Sequence, residues 1–498
     1  MNMFKGHHML ILGLGDSGLA MARWCAWQGA EVTVVDTREQ PPGLKALLEE
    51  GLSVTFKSQA FHADLLSGKP VHGVFKSPGL SPADVAPVWQ AAKAQGIWVG
   101  TELSLFAHAL AQLKSSAQAY QPHVLAITGT NGKTTVTRLT GLLLERAGKD
   151  VAVAGNIGPT LLDTLRTRWS EKPQVWVLEL SSFQLDEVKD FEPTAACLLN
   201  ITQDHLDWHT DMAAYARAKA NVWGGHGTGV LPRHDPEVIG SWPQNSKDKK
   251  AVPRQKISFG PDEPQAPGDF GLSTIHGMTW LVRASPLEEP CSKRAKVSEE
   301  PLQIQRLMPA DALRIRGQHN ALNALAALAL ASTCSPVLAP LLHGLREYQG
   351  EPHRLSSVAM VNDIEYIDDS KGTNVGATVA AINSLGVDRQ LVVIMGGEGK
   401  NQDFAPLIEP VTRHVRAVVL IGRDAAKLGE ALRINGVEQH MAHDMQDAVR
   451  AATQCARAGD VVLLSPACAS LDMYANYVAR ADAFAEAVTE LANGEVNA

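Results

Sequence analysis

Residues 8 to 36 alternate apolar runs with an amphipathic segment in the order of a βαβ unit. HMLILGLG reads as a strand entering a turn, LAMARWCAWQGA as a helix and EVTVVD as a second strand. The alternation continues to about residue 117, where KSSAQAYQPH has the composition of a linker. A second α/β region opens with VLAITG at Val124 and continues through DVAVAGN, QVWVLELSS and TAACLLNIT. These are unbroken apolar runs of the kind that parallel sheets bury on both faces. Between about Gly224 and Arg314 the pattern degrades. An insertion is expected near residues 228–310, with SPLEEPCSKRAKVSEEP charged, proline-bearing and solvated; its KRAK run is read as a solvated charge cluster rather than a partner patch. Helical periodicity resumes at His319. From about Glu351 the strands IEYIDDS, QLVVIMGG, AVVLIG and DVVLLSP are separated by helical segments. The prediction is an α/β protein of three doubly wound α/β domains, covering 1–117, 118–350 and 351–498.

Length fits that division, since 498 residues exceed one ordinary core. The chain is 45% hydrophobic and 20% charged, the balance of a globular protein. A formal net charge of −8 argues against nucleic acid as a partner, because phosphate binding needs a basic surface. The six cysteines, at 25, 197, 291, 334, 455 and 468, include no CxxC pair or zinc spacing, and read as reduced thiols of a cytoplasmic protein. The apolar start leads straight into a glycine motif, so it reads as a strand rather than a signal peptide. Ala321 to Ala331 is too short to span a bilayer, and no membrane insertion is expected.

The strongest chemical signal is Gly129-Thr130-Asn131-Gly132-Lys133-Thr134-Thr135, between a strand and a helix. Backbone N–H groups in such a loop, together with the helix N-terminus, bind anions. Lys133 would neutralise β/γ-phosphates and the Thr134 hydroxyl would hold magnesium, which makes the central domain P-loop ATPase-like. The loop departs from GxxxxGK[ST]: Ile127 stands where the first glycine would fall. The bland alternative is a glycine turn before a helix with a surface lysine. In the first domain Gly13-x-Gly15-x-x-Gly18 follows a strand and Asp36 closes the next, a Rossmann-like fingerprint. Tight strand–helix packing would give the same glycines. Glu179 ends a buried-type strand, where it is either a helix-capping acid or a metal ligand facing the nucleotide crevice. His205 follows another strand and is a structural histidine or a ligand. Cys468 has no evident histidine base and is not read as a nucleophile.

The shortened loop TGTNGKTT resembles that of the Mur ligase and folylpolyglutamate synthetase superfamily. LELSSFQL at Leu178, LLNITQDHLD at Leu198, GQHNALNALAA at Gly317, EPHR at Glu351, DDSKGTNVGAT at Asp368 and SPACASLD at Ser465 follow in that family's order. ELSSFQL, SPACASLD and the N-terminal GLGDSG look like its D-glutamate-adding branch.

The resemblance implies an ATP-dependent ligase that adds D-glutamate to UDP-N-acetylmuramoyl-L-alanine through an acyl phosphate, in cytoplasmic peptidoglycan precursor synthesis. It implies a monomer with a Rossmann-like C-terminal domain that closes on ATP, and two magnesium sites. Lys133, Glu179, His205 and Lys219 would be catalytic. Thr134, Glu179, His205 and Lys219, the last as a carbamate, would hold metal. ATP would meet Gly129 to Thr135, Asn320, Asn323, Arg354 and Asp369. The UDP-substrate would meet Gly13, Gly15, Asp16, Ser17, Gly18, Asp36, Thr37, Arg38, Ser77, Gly79 and Asn156. D-glutamate would meet Lys371, Thr373, Lys400, Ser470 and Tyr477. The alternatives are another amide-forming ligase of the superfamily, an NAD-dependent dehydrogenase built on GLGDSG and Asp36, and a non-enzymatic P-loop switch.

Overall fold

Three sheets follow one another along the chain. The computed structural model describes residues 2–116, 119–243, 254–286 and 302–496. In the first sheet, β1 (His8–Leu12), β2 (Glu31–Asp36), β3 (Val54–Ser58), β4 (Gly73–Lys76) and β5 (Trp98–Gly100) are all parallel, in the order β3-β2-β1-β4-β5. That order reverses beside β1, which opens a crevice at the C-terminal end of this strand. Leu10 and Leu12 pack on one face with Val88, Ile11 on the other with Trp24 and Phe106, the period-2 alternation of a strand covered on both sides.

The second sheet holds β6 (His123–Thr128), β7 (Val151–Gly155), β8 (Val175–Glu179), β9 (Ala195–Leu198), β10 (Thr228–Pro232), β11 (Lys256–Phe259), β12 (Phe270–Ile275), β13 (Met278–Pro286) and β14 (Leu302–Pro309). Its order is β14-β13-β12-β11-β10-β9-β6-β8-β7. Here the structure corrects the sequence expectation for residues 228–310. Much of that stretch is five strands that prolong the central sheet, parallel through β12 and antiparallel from β12 to β14. The KRAK run lies outside the described residues. Alternation in FGLSTI and a turn with positive φ at His276 and Gly277 mark the β12–β13 hairpin.

The third sheet contains β15 (Ser356–Val361), β16 (Ile364–Asp368), β17 (Leu391–Gly396), β18 (Val415–Ile421), β19 (Glu438–Met441) and β20 (Val461–Leu464), in the order β15-β16-β20-β17-β18-β19 with β15 antiparallel. Its core separates into two clusters of its own. The first two sheets instead share one apolar cluster, in which Phe106 of the N-terminal part meets Trp176 of β8 edge-on at 5.0 Å. The contacts described below between the C-terminal part and the centre are polar. Polar contacts of this kind are typical of an interface between separately packed domains. Among the described residues no helix is long and apolar enough to cross a membrane.

Candidate active site

Three neighbouring strands deliver the chemistry to one edge. β6 pairs with β8 and β9 in parallel, with Ile127 beside Glu179 and Thr128 beside Leu198. The glycine loop, Glu179 and the segment Asn200–His205 therefore leave the sheet together at its C-terminal rim, where α/β sheets bind ligands.

The loop is held open by its neighbours. Asn200 accepts the Asn131 N–H at 2.8 Å and returns a side-chain N–H to the Asn131 carbonyl at 3.1 Å. Thr130 Oγ1 accepts the Thr202 N–H at 3.0 Å and lies 3.1 Å from the Tyr215 hydroxyl. Gly132 caps the helix Lys133–Arg146 with φ 83°, and a Cβ there would stand 2.6 Å from Asn323 Oδ1. Backbone conformation and space both exclude a side chain at that point.

Two lysines converge on this loop. Lys133 Nζ donates to the carbonyls of Gly129 and Thr130, both at 2.9 Å, while Lys219 Nζ donates to the Gly129 carbonyl at 2.7 Å. Lys219 is 1% exposed and stands 4.6 Å above the Tyr215 ring. Burial, and then the nearby Lys133 charge, push its amine well below the ordinary lysine range; burial also lowers Lys133.

Glu179 is buried. Its Oε1 accepts the Asn156 side-chain N–H at 2.9 Å, and its Oε2 has no hydrogen-bond partner. A buried carboxylate oxygen left without a donor asks for a cation. His205 sits in left-handed backbone at φ 54°, with its ring against Phe183 at 4.7 Å. Burial lowers its imidazole to about 4, so the ring is neutral at pH 7, the state that ligates metal. These donors fit magnesium: oxygen ligands from Glu179 and the Thr134 hydroxyl, with His205 at the margin.

The C-terminal domain meets this edge through groups that sequence reasoning passed over. Asp204 is buried and accepts Lys400 Nζ at 2.9 Å and Asn374 Nδ2 at 3.3 Å. Burial alone would raise its carboxyl, but the Lys400 ammonium overcomes this and holds it below the usual range. Asn374 and Asn131 exchange side-chain amide bonds at 3.0 and 3.1 Å, and Asn374 also caps the helix Val375–Leu385. Lys400, read from sequence as an amino-acid contact, thus lies across the domain junction.

Arg354 reaches the Thr134 hydroxyl at 3.5 Å, its Nε without a partner. Asn131, Gly132, Thr135, Asn320, Asn323, Arg354 and Asp369 line one narrow cleft between the domains with His319. Asn320 and Asn323 hydrogen-bond each other at 3.1 Å. Asp369, buried and bonded by Ser465 at 2.8 Å, is pushed up to about 7 by burial.

Lys371 stands 5.5 Å over the Tyr477 ring, and burial followed by the Arg354 charge lowers it to about 8. Thr373 lies between Lys371 and Asn374 on the same loop. Ser470 is buried beyond Cys468. Arg480, also buried, donates to the carbonyls of Ser370 and Cys468 at 2.9 and 3.1 Å and so fixes both loops. The Cys468 thiol is raised to about 12 by burial, which leaves it inert.

At the first sheet's switch point, a Cβ on Gly18 would come within 2.0 Å of the Gly13 carbonyl, so helix and strand can approach only as they do with glycine there. Gly15, Asp16 and Ser17 open the helix Asp16–Trp27, and Ser77, after β4, faces Gly13 across the turn. Thr37 and Gly79 lie on the loops after β2 and β4. The carboxylate of Asp36 is fully engaged: Leu14 N–H and Arg38 Nη2 meet Oδ2 at 2.8 Å, and Arg38 N and Nε meet Oδ1 at 3.0 and 2.8 Å. Its roughly four acceptor positions are filled by the chain itself, two of them by the half-exposed Arg38 side chain.

Comparisons with known proteins agree with this geometry. Family models match in sequence order: the Mur ligase MurD-like N-terminal domain over residues 7–101, the Mur ligase middle domain over 127–331 and the Mur ligase glutamate ligase domain over 353–468. A UDP-N-acetylmuramoylalanine–D-glutamate ligase of Albidiferax ferrireducens is 59% identical over 99% of this chain and 98% of its own length. One of a Polaromonas species is 50% identical over 97% of both chains. Among solved structures, the MurF ligase of Thermotoga maritima in complex with ADP covers 99% of this chain and 96% of its own, with TM-score 0.58 and 14% identity. The UDP-N-acetylmuramate–alanine ligase of the same organism covers 97% and 99%, with TM-score 0.55 and 18% identity. Those two likenesses concern the fold. Matched by family models in all three parts and by relatives along almost its whole length, the chain belongs to the Mur ligase family.

Proposed function

We propose that this chain is an ATP-dependent ligase that joins D-glutamate to the carboxylate of UDP-N-acetylmuramoyl-L-alanine in peptidoglycan precursor synthesis. The observation that carries the reading is the convergence of Lys133, Lys219, the orphaned Glu179 oxygen and His205 on one phosphate-type loop, with the C-terminal domain docked beside it. We assign residues 1–117 to the UDP-substrate, 118–350 to ATP and 351–498 to closure over ATP and to D-glutamate.

In this reaction a carboxylate attacks a γ-phosphate, and two anions must meet. Lys133 leaves its carbonyl partners to neutralise the phosphates, while loop N–H groups hold their oxygens. Thr134, Glu179, His205 and Lys219, the last as a carbamate, would hold magnesium at two sites, which would supply further neutralisation of that charge. The depressed basicity of Lys219 favours the neutral amine, the form that would attack carbon dioxide; the nitrogen would gain a carboxylate and release a proton to solvent. Asn156 orients Glu179 and lies where the substrate's peptide end would arrive. Arg354, Asn320, Asn323 and Asp369 bound the nucleotide cleft. Once the acyl phosphate has formed and ADP is the leaving group, the amine of D-glutamate adds to the acyl carbon and phosphate departs. Lys371, Thr373, Ser470 and Tyr477, with Lys400 at the junction, face the two carboxylates of that amino acid. Asp36 and Arg38 shape the floor of the first-domain pocket, where Gly13, Gly15, Asp16, Ser17, Thr37, Ser77 and Gly79 would receive the uridine diphosphate. ATP and a nucleotide-linked substrate place the reaction in the cytoplasm.

The test is ADP release with UDP-N-acetylmuramoyl-L-alanine, comparing D-glutamate, L-glutamate, L-alanine and no acceptor. Sustained turnover is expected with D-glutamate. Equal turnover with L-alanine, or none with any acceptor, would reject the assignment.

A further inference from the structure

β19 is the outermost strand of the third sheet and pairs with β18 alone. Glu438 and His440 stand two residues apart on it and therefore share a face. The chain then returns through the helix Met445–Cys455, whose last residue brings a thiol to the same place. One carboxylate oxygen, one imidazole nitrogen and the sulfur lie within 4.8 Å of one another, and His440 Nε2 is 2.8 Å from Glu438 Oε1.

We propose that Glu438, His440 and Cys455 form a binding site for a thiophilic divalent cation of the zinc class, distinct from the magnesium positions of the ATP cleft. Three features favour a cation there. The Glu438 carboxylate and the His440 imidazole already face each other on the strand and offer one oxygen and one nitrogen ligand. Cys455 ends a helix, where the last carbonyls carry partial negative charge. No hydrogen bond to the Cys455 thiol is made among the described residues, so its sulfur is free to ligate, and the thiol would pass its proton to solvent as it does so.

The donor set decides the metal. Sulfur, nitrogen and one oxygen suit zinc, with bond lengths of about 2.0 to 2.3 Å, whereas magnesium requires oxygen. Zinc's tetrahedral ligand spacing requires the wider pairs, now within 4.8 Å, to close by about 1 Å and the Glu438–His440 pair to open from 2.8 Å, within the reach of side chains at a strand edge, and water would complete the fourth position. Glu438 opens its strand and Cys455 closes its helix, so the cluster occupies the N-terminal rim of the sheet. Asp368 and Ser465 leave from the opposite rim. The ion is therefore a staple between an edge strand and its covering helix, with no part in the ligase chemistry.

Cobalt(II) provides the test. The full chain, stripped with chelator and returned to magnesium buffer, is titrated while near-ultraviolet absorption from thiolate-to-cobalt charge transfer is followed. The band is expected to saturate at one equivalent and to disappear when one equivalent of zinc is added. Cys455→Ser should abolish it and His440→Ala should weaken cobalt binding by about tenfold or more, with ligase turnover of both variants kept as proof of folding. No band in active wild-type protein would overturn the proposal. So would a full band surviving in Cys455→Ser, which would assign it to another cysteine.

Discussion

Breaking the Asp204–Lys400 pair should open the enzyme without unfolding it. The two groups are 2.9 Å apart, their side chains 7% and 13% exposed, and they join separately packed domains. Removing one member of a buried, hydrogen-bonded charge pair costs about 2 to 5 kcal/mol, mostly from the partner left behind. Within a domain that penalty would reduce stability. On the domain closure proposed above, the orphaned group regains water when the C-terminal domain swings away, so the cost falls on the closing equilibrium. At about 1.4 kcal/mol per tenfold, Lys400→Met or Asp204→Asn should reduce closure by roughly 30- to several-thousand-fold. The Asn131–Asn374 bonds then persist only in the residual closed population. The pair Asp204→Asn with Lys400→Met removes both charges, and should cost less than the summed singles by at least about 1.5 kcal/mol. Turnover by ADP release gives the cycle, and small-angle scattering with bound nucleotide separates opening from damage to the neighbouring His205. Energies additive to within about 0.5 kcal/mol, or compact single variants, would refute the latch.

Two further outcomes follow from buried charges. Lys133→Ala should lower turnover by on the order of 10²-fold or more while UDP-substrate binding, followed by titration calorimetry, stays near wild type; an active variant would remove the phosphate-loop assignment. Glu102 is buried between the first two domains, where Oε1 accepts the Leu162 N–H at 2.9 Å and Oε2 is unpartnered; burial pushes its carboxyl up to about 7. The folded state therefore keeps a proton that the unfolded chain loses, so stability falls as pH rises from about 4.5 to about 7 and levels off above. Glu102→Gln should flatten thermal unfolding between pH 5 and 8 and gain up to on the order of 3 kcal/mol at pH 8; parallel curves for the two proteins would contradict this.

Parallel strands such as β1, β6, β8 and β17 were legible because burial on both faces writes unbroken apolar runs, whereas the parallel β10 and β11 lay unread in the stretch taken for an insertion. The hairpin strands β12 to β14 were not legible either, since an exposed edge mixes polar and apolar residues and Gln303, Gln305 and Arg306 imitate a loop. At the site, Lys133 and Glu179 carried local signals, a loop ahead of a helix and an acid ending a strand. Lys219 carried none: its helix reads as solvated, and its significance came through the family resemblance. Asp204 and Asn374 escaped although their segments had been singled out. Their partners lie 196 and 243 residues away, across a junction that no local pattern encodes.

The guanidinium of Arg480 has a consequence for the order of events during synthesis. It grips the carbonyls of Ser370 and Cys468, 110 and 12 residues before it in the chain, from the final helix. On the assignment proposed above, these loops border the amino-acid pocket, so a nascent chain that has completed its glycine loop and central sheet would still lack the tie that fixes them. A product truncated before Arg480 would then retain its phosphate-type loop while acceptor selection, the last competence to be acquired on the ribosome, is missing.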